Sequence, residues 1–169
     1  MKMIVAADKK WGIGRDNKLL VSIPVDMKSF RAATTGQVIV MGRKTLESFP
    51  GGKPLKNRVN LVLTGDRNYR AEGATVLHSV EEVLEELKNY PDKEAWCIGG
   101  GSIYRQFLPF TDEVDVTRIE HVYEADTFFP DLDADPEWEI TGISDEQTYF
   151  DLIYHFVRYE RRCSRMAEA

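Results

Sequence analysis

Three consecutive glycines, Gly99-Gly100-Gly101, stand between the apolar run Ala95-Trp96-Cys97-Ile98 and a helical pattern of Ile103, Phe107 and Leu108 that Pro109 closes. A buried strand that runs into glycines and reopens as a helix restricts the chain to a small group of α/β arrangements. Glycine has no Cβ, so the backbone turns sharply there and a ligand can approach its N–H groups. A helix that begins at the turn adds unpaired N–H groups and the positive end of its dipole. The combination reads as a phosphate cradle or, equally, as a tight strand-to-helix turn with no ligand. It is not the dinucleotide fingerprint G-x-G-x-x-G, because Tyr104 takes the place of the third glycine.

The same alternation runs through the rest of the chain. Residues 3–7 and 38–41 are apolar enough to be strands buried on both faces. Further strands are predicted over 59–64, 74–77, 95–98 and 114–122. Helices are predicted from Pro24 to about Thr34, from Arg43 after the second glycine turn at Gly42, from the capping box Ser79-Val80-Glu81-Glu82, and after the triple glycine. Residues 138–143 and 149–160 read as two strands with no helix between them, hence an antiparallel hairpin. The expected fold is a single-domain α/β protein: a mostly parallel eight-stranded sheet with an antiparallel C-terminal edge and four flanking helices. The domain is placed at residues 1–163, and 164–169 are expected to fray. Residues 8–23 show no period and read as a loop of the kind that covers a ligand.

Charge narrows the function. The 169 residues carry a net charge of -6, which argues against a general nucleic-acid binder. Yet between Arg43 and Arg70 there are seven basic residues against Glu47 and Asp66, a balance that fits a small anionic ligand or a solvated surface. Cys97 and Cys163 make no disulfide framework, and Cys97, in a buried strand, reads as an inert apolar side chain. His78, His121 and His155 lack metal-ligand spacing and read as structural or surface residues; no metal is expected. Met1-Lys2 leads straight into a strand-like run, so a cytoplasmic protein without a secretory signal or membrane span is expected.

Asp26, in the first turn of the helix after Pro24, is a lone carboxylate facing the same sheet edge as the two glycine turns. Position alone explains it as an acid at a helix N-terminus. Met27 and Phe30 would give it an apolar pocket, where burial favours protonation or a cationic partner.

With these residues the chain resembles the dihydrofolate reductase family. The resemblance is carried by Val5-Ala6-Ala7, Gly12-Ile13-Gly14-Arg15-Asp16-Asn17, Pro24-Val25-Asp26-Met27, Val40-Met41-Gly42-Arg43-Lys44-Thr45-Leu46-Glu47-Ser48 and Ile98-Gly99-Gly100-Gly101-Ser102-Ile103-Tyr104. Pro54-Leu55-Lys56-Asn57-Arg58, Val116-Thr117 and Ala125-Asp126-Thr127-Phe128-Phe129-Pro130 add to it. The matches keep the family's order from Met3 to about Arg161.

The resemblance implies NADPH-dependent reduction of 7,8-dihydrofolate to tetrahydrofolate. It implies Asp26 and Thr117 as the catalytic pair at the pterin, with Val5, Ala6, Leu19, Met27, Phe30, Phe49, Leu55 and Arg58 completing the substrate site. For the cofactor it implies Ala6, Ile13, Gly14 and Leu19 at the nicotinamide. The pyrophosphate falls to Gly100, Gly101, Ser102 and Ile103 with Lys44 and Thr45, and the 2′-phosphate to Arg43 and Thr64; Gly42, Leu63, Ile98, Gly99, Tyr104 and Gln106 complete the cofactor site. The Gly99–Gly100 peptide is expected to be cis. Antifolates of the diaminopyrimidine class, a monomeric state and the absence of nucleic-acid or membrane partners follow from the same likeness. There are two departures. Ser102 replaces an arginine that often follows the glycines, and Leu20-Val21 replaces the usual Pro-Trp, so no indole N–H is present to hold a water beside the pterin. A related pyrimidine-ketone reductase and a catalytically dead nucleotide or pterin sensor are the rival readings. Asp26 and Arg58 favour folate over the first, and NADPH oxidation on adding dihydrofolate separates an enzyme from the second.

Overall fold

Val38–Gly42, apolar at every position, is buried at every position and runs through the middle of the sheet. Its alternate residues feed two cores. Val38 and Val40 pack with Met3, Leu61 and Cys97 on one face, while Ile39 and Met41 pack with Val62, Trp96 and Leu46 on the other. A strand covered on both sides needs no polar face, which is why this run lacks the alternation of an exposed strand.

The computed structural model describes residues 1–162. Cys163 and the tail expected to fray, 164–169, lie outside the described residues. In chain order the elements are β1 (Lys2–Ala7), β2 (Gly12–Arg15), β3 (Lys18–Leu19), α1 (Pro24–Thr34), β4 (Val38–Gly42), α2 (Arg43–Glu47), β5 (Val59–Leu63), β6 (Thr75–Leu77), α3 (Val80–Leu87), β7 (Ala95–Gly99), α4 (Gly101–Phe107), β8 (Glu113–Ile119), β9 (Thr127–Phe128), β10 (Trp138–Ile143), β11 (Gln147–Tyr149) and β12 (Leu152–Arg161). The main sheet runs β10-β12-β8-β1-β7-β4-β5-β6. All pairings from β8 to β6 are parallel, and β12 joins β8 and β10 antiparallel. The expected mostly parallel sheet with an antiparallel C-terminal edge is therefore present. Helices cover both faces: α3 and α4 reach the first core through Val83 and Phe107, and α1 and α2 the second through Ala33 and Leu46. Among the described residues, no helix is long and apolar enough to cross a membrane.

Two features depart from the sequence reading. The stretch 8–23 is not plain loop, since β2 and β3 join β9 in a separate three-stranded sheet. Strands of two and four residues are too short to display a period. The last hairpin also has an extra member: Tyr149 ends β11, which folds back on β12 through Phe150 at a φ of +53°. Ser79 does cap α3, accepting from Glu82 N at 3.1 Å. The Glu82 carboxylate reaches back to His78 N at 2.7 Å, one residue before the position a capping box would use.

Candidate active site

Strand register gathers the predicted residues along one edge. Ala6 lies opposite Thr117, Met41 opposite Gly99, and Gly42 opposite Leu63, so the carboxyl ends of β8, β1, β7, β4 and β5 form a single line. After β4 the chain moves outward to β5 and β6, returns to insert β7 beside β1, and crosses to β8 on the far side of β1. Such a reversal leaves a crevice at the strand ends where α/β folds bind ligands.

Asp26 enters this crevice from α1. Thr117 Oγ1 donates to Asp26 Oδ1 at 2.5 Å, joining residues 91 positions apart, and Thr117 itself is 4% exposed. Burial pushes the Asp26 carboxyl above its ordinary range, and the hydrogen bond from Thr117 pulls it partly back. Among the described residues Asp26 forms no ion pair, so the burial is uncompensated by a protein cation. Val5 is buried beneath the site; Phe30, Phe49 and Leu55 are half-buried, and Leu19 and Met27 are exposed at 60% and 40%. Apolar side chains left open near a half-buried carboxylate describe a binding wall better than a core.

Asn60 sets the far wall. Although buried, it is fully engaged: Nδ2 donates to Leu55 O at 2.9 Å and Arg58 O at 3.1 Å, and Oδ1 accepts from Leu55 N at 3.1 Å. This brace fixes Leu55 and Arg58 together. Arg58 donates to Thr34 Oγ1 at 3.3 Å and to Lys56 O at 2.9 Å. Desolvation, and then the charge of nearby Arg31, lower its guanidinium below the ordinary value. Two cations side by side make a site for anionic groups. Arg31 was not anticipated from sequence, because nothing local marks a helix arginine as a neighbour of Arg58.

The glycine turns divide the labour between packing and access. A Cβ on Gly101 would lie 2.7 Å from Thr127 Cγ2, and Gly99 sits at a φ of +115° against the Tyr104 ring; both are demanded by the protein itself. Around Gly100 a Cβ would meet only Thr45 Oγ1, at 3.9 Å, so the open side of the turn faces the start of α2. Gly42 and Gly100 precede α2 and α4 without a side-chain cap at either. The Gly99–Gly100 peptide is cis, as expected. Tyr104 is buried and donates to Ile4 O at 2.8 Å, Ile103 packs against Gly42, and Gln106 donates to the exposed Ser102 Oγ at 3.0 Å. Burial pushes the Cys97 thiol up to about 12, consistent with an inert side chain.

Beyond Thr45 the edge is cationic. Lys44 is exposed, and Arg43 is shared among Glu47 at 2.8 Å, Asp66 at 3.2 Å and the face of Tyr69. Thr64 follows β5, and its carbonyl lies 2.9 Å from His78 Nδ1; with Nδ1–H donating there, Nε2 is left for another partner. His78 and Arg70 line a cleft of about 510 Å³ at this end. An open glycine turn, two uncapped helix starts and a cationic end fit a dinucleotide with an extra phosphate. The chain also resembles known proteins at this level. The family model for dihydrofolate reductase matches residues 1–161.

The chain belongs to the dihydrofolate reductase family.

Individual relatives agree. The chain is 37% identical to dihydrofolate reductase of Staphylococcus haemolyticus over 164 residues, 95% of each chain. It is 36% identical to that of Bacillus subtilis over 171 residues, 99% of this chain and 98% of the relative. Among solved structures it matches dihydrofolate reductase from Enterococcus faecalis complexed with NADP(H) and RAB-propyl, with a TM-score of 0.84, 33% identity and 95% of each chain covered. Dihydrofolate reductases are NADPH-dependent oxidoreductases, and the cofactor here is NADPH.

Besides Arg31, three features of the site were missed in the sequence. Asp8, 1% exposed, accepts from Lys10 N at 2.9 Å, Gly12 N at 2.8 Å and Tyr123 N at 2.9 Å, tying the loop before β2 to the loop after β8. Asp126 does the same further along, accepting from Asp16 N at 2.9 Å while its own N–H donates to Gly14 O at 3.0 Å. His78, read as structural or surface, stands beside Thr64 at the cationic end of the edge. Val21, one of the two departures from the resemblance, packs beside Ile23, Ile119 and Tyr154.

Proposed function

We propose that this chain reduces 7,8-dihydrofolate to 5,6,7,8-tetrahydrofolate, with Asp26 holding and polarising the pterin ring. The observation that carries the reading is a half-buried carboxylate at the strand ends whose one side-chain donor, among the described residues, is Thr117. Its free oxygen surface suits a planar group with two adjacent donors, and the pterin offers N3–H and the 2-amino group. NADPH, when bound, supplies the hydride that is added at pterin C6. The proton gained by N5 comes from water, and Asp26 acts by orienting the ring and stabilising positive charge on it. Thr117 fixes the rotamer of Asp26. Val5, Ala6, Leu19, Met27, Phe30, Phe49 and Leu55 exclude water from the ring and its benzoyl extension, and Arg58 takes the glutamate carboxylate, with Arg31 adding charge.

On the cofactor side, Ala6, Ile13 and Gly14 hold the carboxamide through backbone groups. Gly100, Gly101, Ser102 and Ile103, with Lys44 and Thr45, hold the pyrophosphate. Arg43 and Thr64 hold the 2′-phosphate, and His78 stands beside them. Diaminopyrimidine antifolates present the same pair of donors to Asp26. The product supplies one-carbon metabolism, and the chain works as a monomer.

Asp26→Asn tests the reading. The amide keeps the shape and removes the charge, so turnover at neutral pH is nearly lost while NADPH binding stays close to normal. Activity returns in part in acid, where the substrate is protonated without help. Wild-type turnover by this variant at neutral pH removes Asp26 from the mechanism.

A further inference from the structure

Consecutive residues of a strand face opposite ways, and on β8 both neighbours at the crevice are engaged. Thr117 turns to Asp26. Arg118, on the other face, lays its guanidinium over the indole of Trp11, with Cζ 3.9 Å from the ring centroid. Its nitrogens reach Asp133 Oδ2 and Lys9 O, each at 3.4 Å, and Asp133 is itself held by Tyr159 Oη at 2.8 Å. Trp11 is 4% exposed, stacks on Phe129 with centroids 5.9 Å apart, and meets Tyr159 edge-on at 5.6 Å. Its carbonyl accepts from Phe129 N at 2.8 Å.

The backbone at Trp11 has a φ of +64°, in the left-handed region that a bulky aromatic residue rarely enters. A conformation of that kind persists only where the surroundings over-determine it. The surroundings here are the Arg118 stack, the two rings, the Phe129 hydrogen bond and a further bond from Trp11 N to Asp8 O at 3.1 Å. Trp11 is the residue immediately before β2, whose Ile13 and Gly14 face the nicotinamide in the reading above. The turn at Trp11 therefore sets where those backbone groups lie.

We propose that Arg118 is a positioning residue for the nicotinamide end of the cofactor, acting through Trp11 on the backbone of Ile13 and Gly14. The proposal rests on the cofactor reading given above. Strand β8 then serves both ligands: Thr117 orients the carboxylate at the pterin, and Arg118 holds the loop at the nicotinamide.

The test is direct binding, by calorimetry, of NADPH, NADH and 2′,5′-ADP, which lacks the nicotinamide half. Arg118→Met keeps the length of the side chain and loses its charge and donors. It is expected to weaken NADPH and NADH by the same factor, about tenfold, from the loss of a desolvated cation–π contact. Binding of 2′,5′-ADP stays within about twofold of wild type, by additivity of separated sites. Arg118→Lys recovers part of the loss, since it keeps a cation over the indole without the planar fork. Trp11→Phe, the second variant should Arg118→Met fail to fold, shows the same pattern with a smaller loss. Unchanged NADPH affinity in the folded variants, or an equal loss for 2′,5′-ADP, overturns the proposal alone. A wild-type chain that binds 2′,5′-ADP and not NADPH overturns the cofactor reading and the proposal with it.

Discussion

Replacing Thr117 with valine removes one hydrogen and one oxygen's worth of polarity from the centre of the site and little else. Valine has the same shape, and the position is 4% exposed, so the change leaves no large cavity. What is lost is the 2.5 Å hydrogen bond to Asp26, a bond to a charged acceptor worth about 1.5–3 kcal/mol. Asp26 is half-buried rather than sealed, so water compensates in part and the lower figure, about 1.5 kcal/mol, applies. If the bond acts on the reacting complex, that energy corresponds to about tenfold in kcat/KM. The loss must also depend on pH. Burial raises the Asp26 carboxyl in the folded chain, and Thr117 opposes the rise; valine lets it rise further. A carboxyl whose folded value lies above its unfolded one favours the folded state at low pH and loses that contribution as pH climbs through the folded value. The variant loses it over a wider range. Urea unfolding at a pH well below and one well above the raised carboxyl therefore shows little difference from wild type where it is protonated and the full deficit where it is ionised. An equal deficit at both values, or none at the higher one, refutes the assignment of this bond to the ionised carboxylate.

Arg43→Ala raises the NADPH Michaelis constant about tenfold more than the NADH one; the ion pairs to Glu47 and Asp66 keep the effect at the low end of a charge-assisted contact. Equal changes for the two cofactors assign Arg43 to the scaffold instead. Asp8→Ala leaves three backbone N–H groups without an acceptor, the Gly12 one buried, and costs about 2–4 kcal/mol in urea unfolding, with Asp8→Asn recovering part. A loss no larger than that of an exposed substitution shows that water replaces the carboxylate freely.

What could be read from the chain alone follows from the physics of each element. Val38–Gly42 and Ala95–Gly99 were recoverable because burial on both faces leaves an unbroken apolar run, and glycine marks their ends. Pro24 and Ser79 announced two helix starts by chemistry that acts within one turn. The small β3-β2-β9 sheet was invisible, since neither two residues nor four can show a period and the pairing partner, Phe128, is more than a hundred positions from Gly12. Asp26 was visible as a lone acid, but only the resemblance joined it to Thr117. Nothing in periodicity links a helix N-terminus to a strand 91 positions away. Asp8, Arg31 and Arg118 stayed hidden for the same reason: each acts across a tertiary contact and has no local signature. Trp11 gave no sign either, because a left-handed backbone is flagged in sequence by glycine or asparagine, not by tryptophan.

The crevice at the strand ends is proposed to reduce dihydrofolate at the expense of NADPH. This is tested most directly by adding 7,8-dihydrofolate to the purified chain with NADPH and following NADPH absorbance together with tetrahydrofolate formed. Steady oxidation is expected, one NADPH for each tetrahydrofolate, abolished by a diaminopyrimidine and absent with a pyrimidine-ketone substrate. Binding of NADPH and dihydrofolate without oxidation, or oxidation only with the pyrimidine, contradicts it.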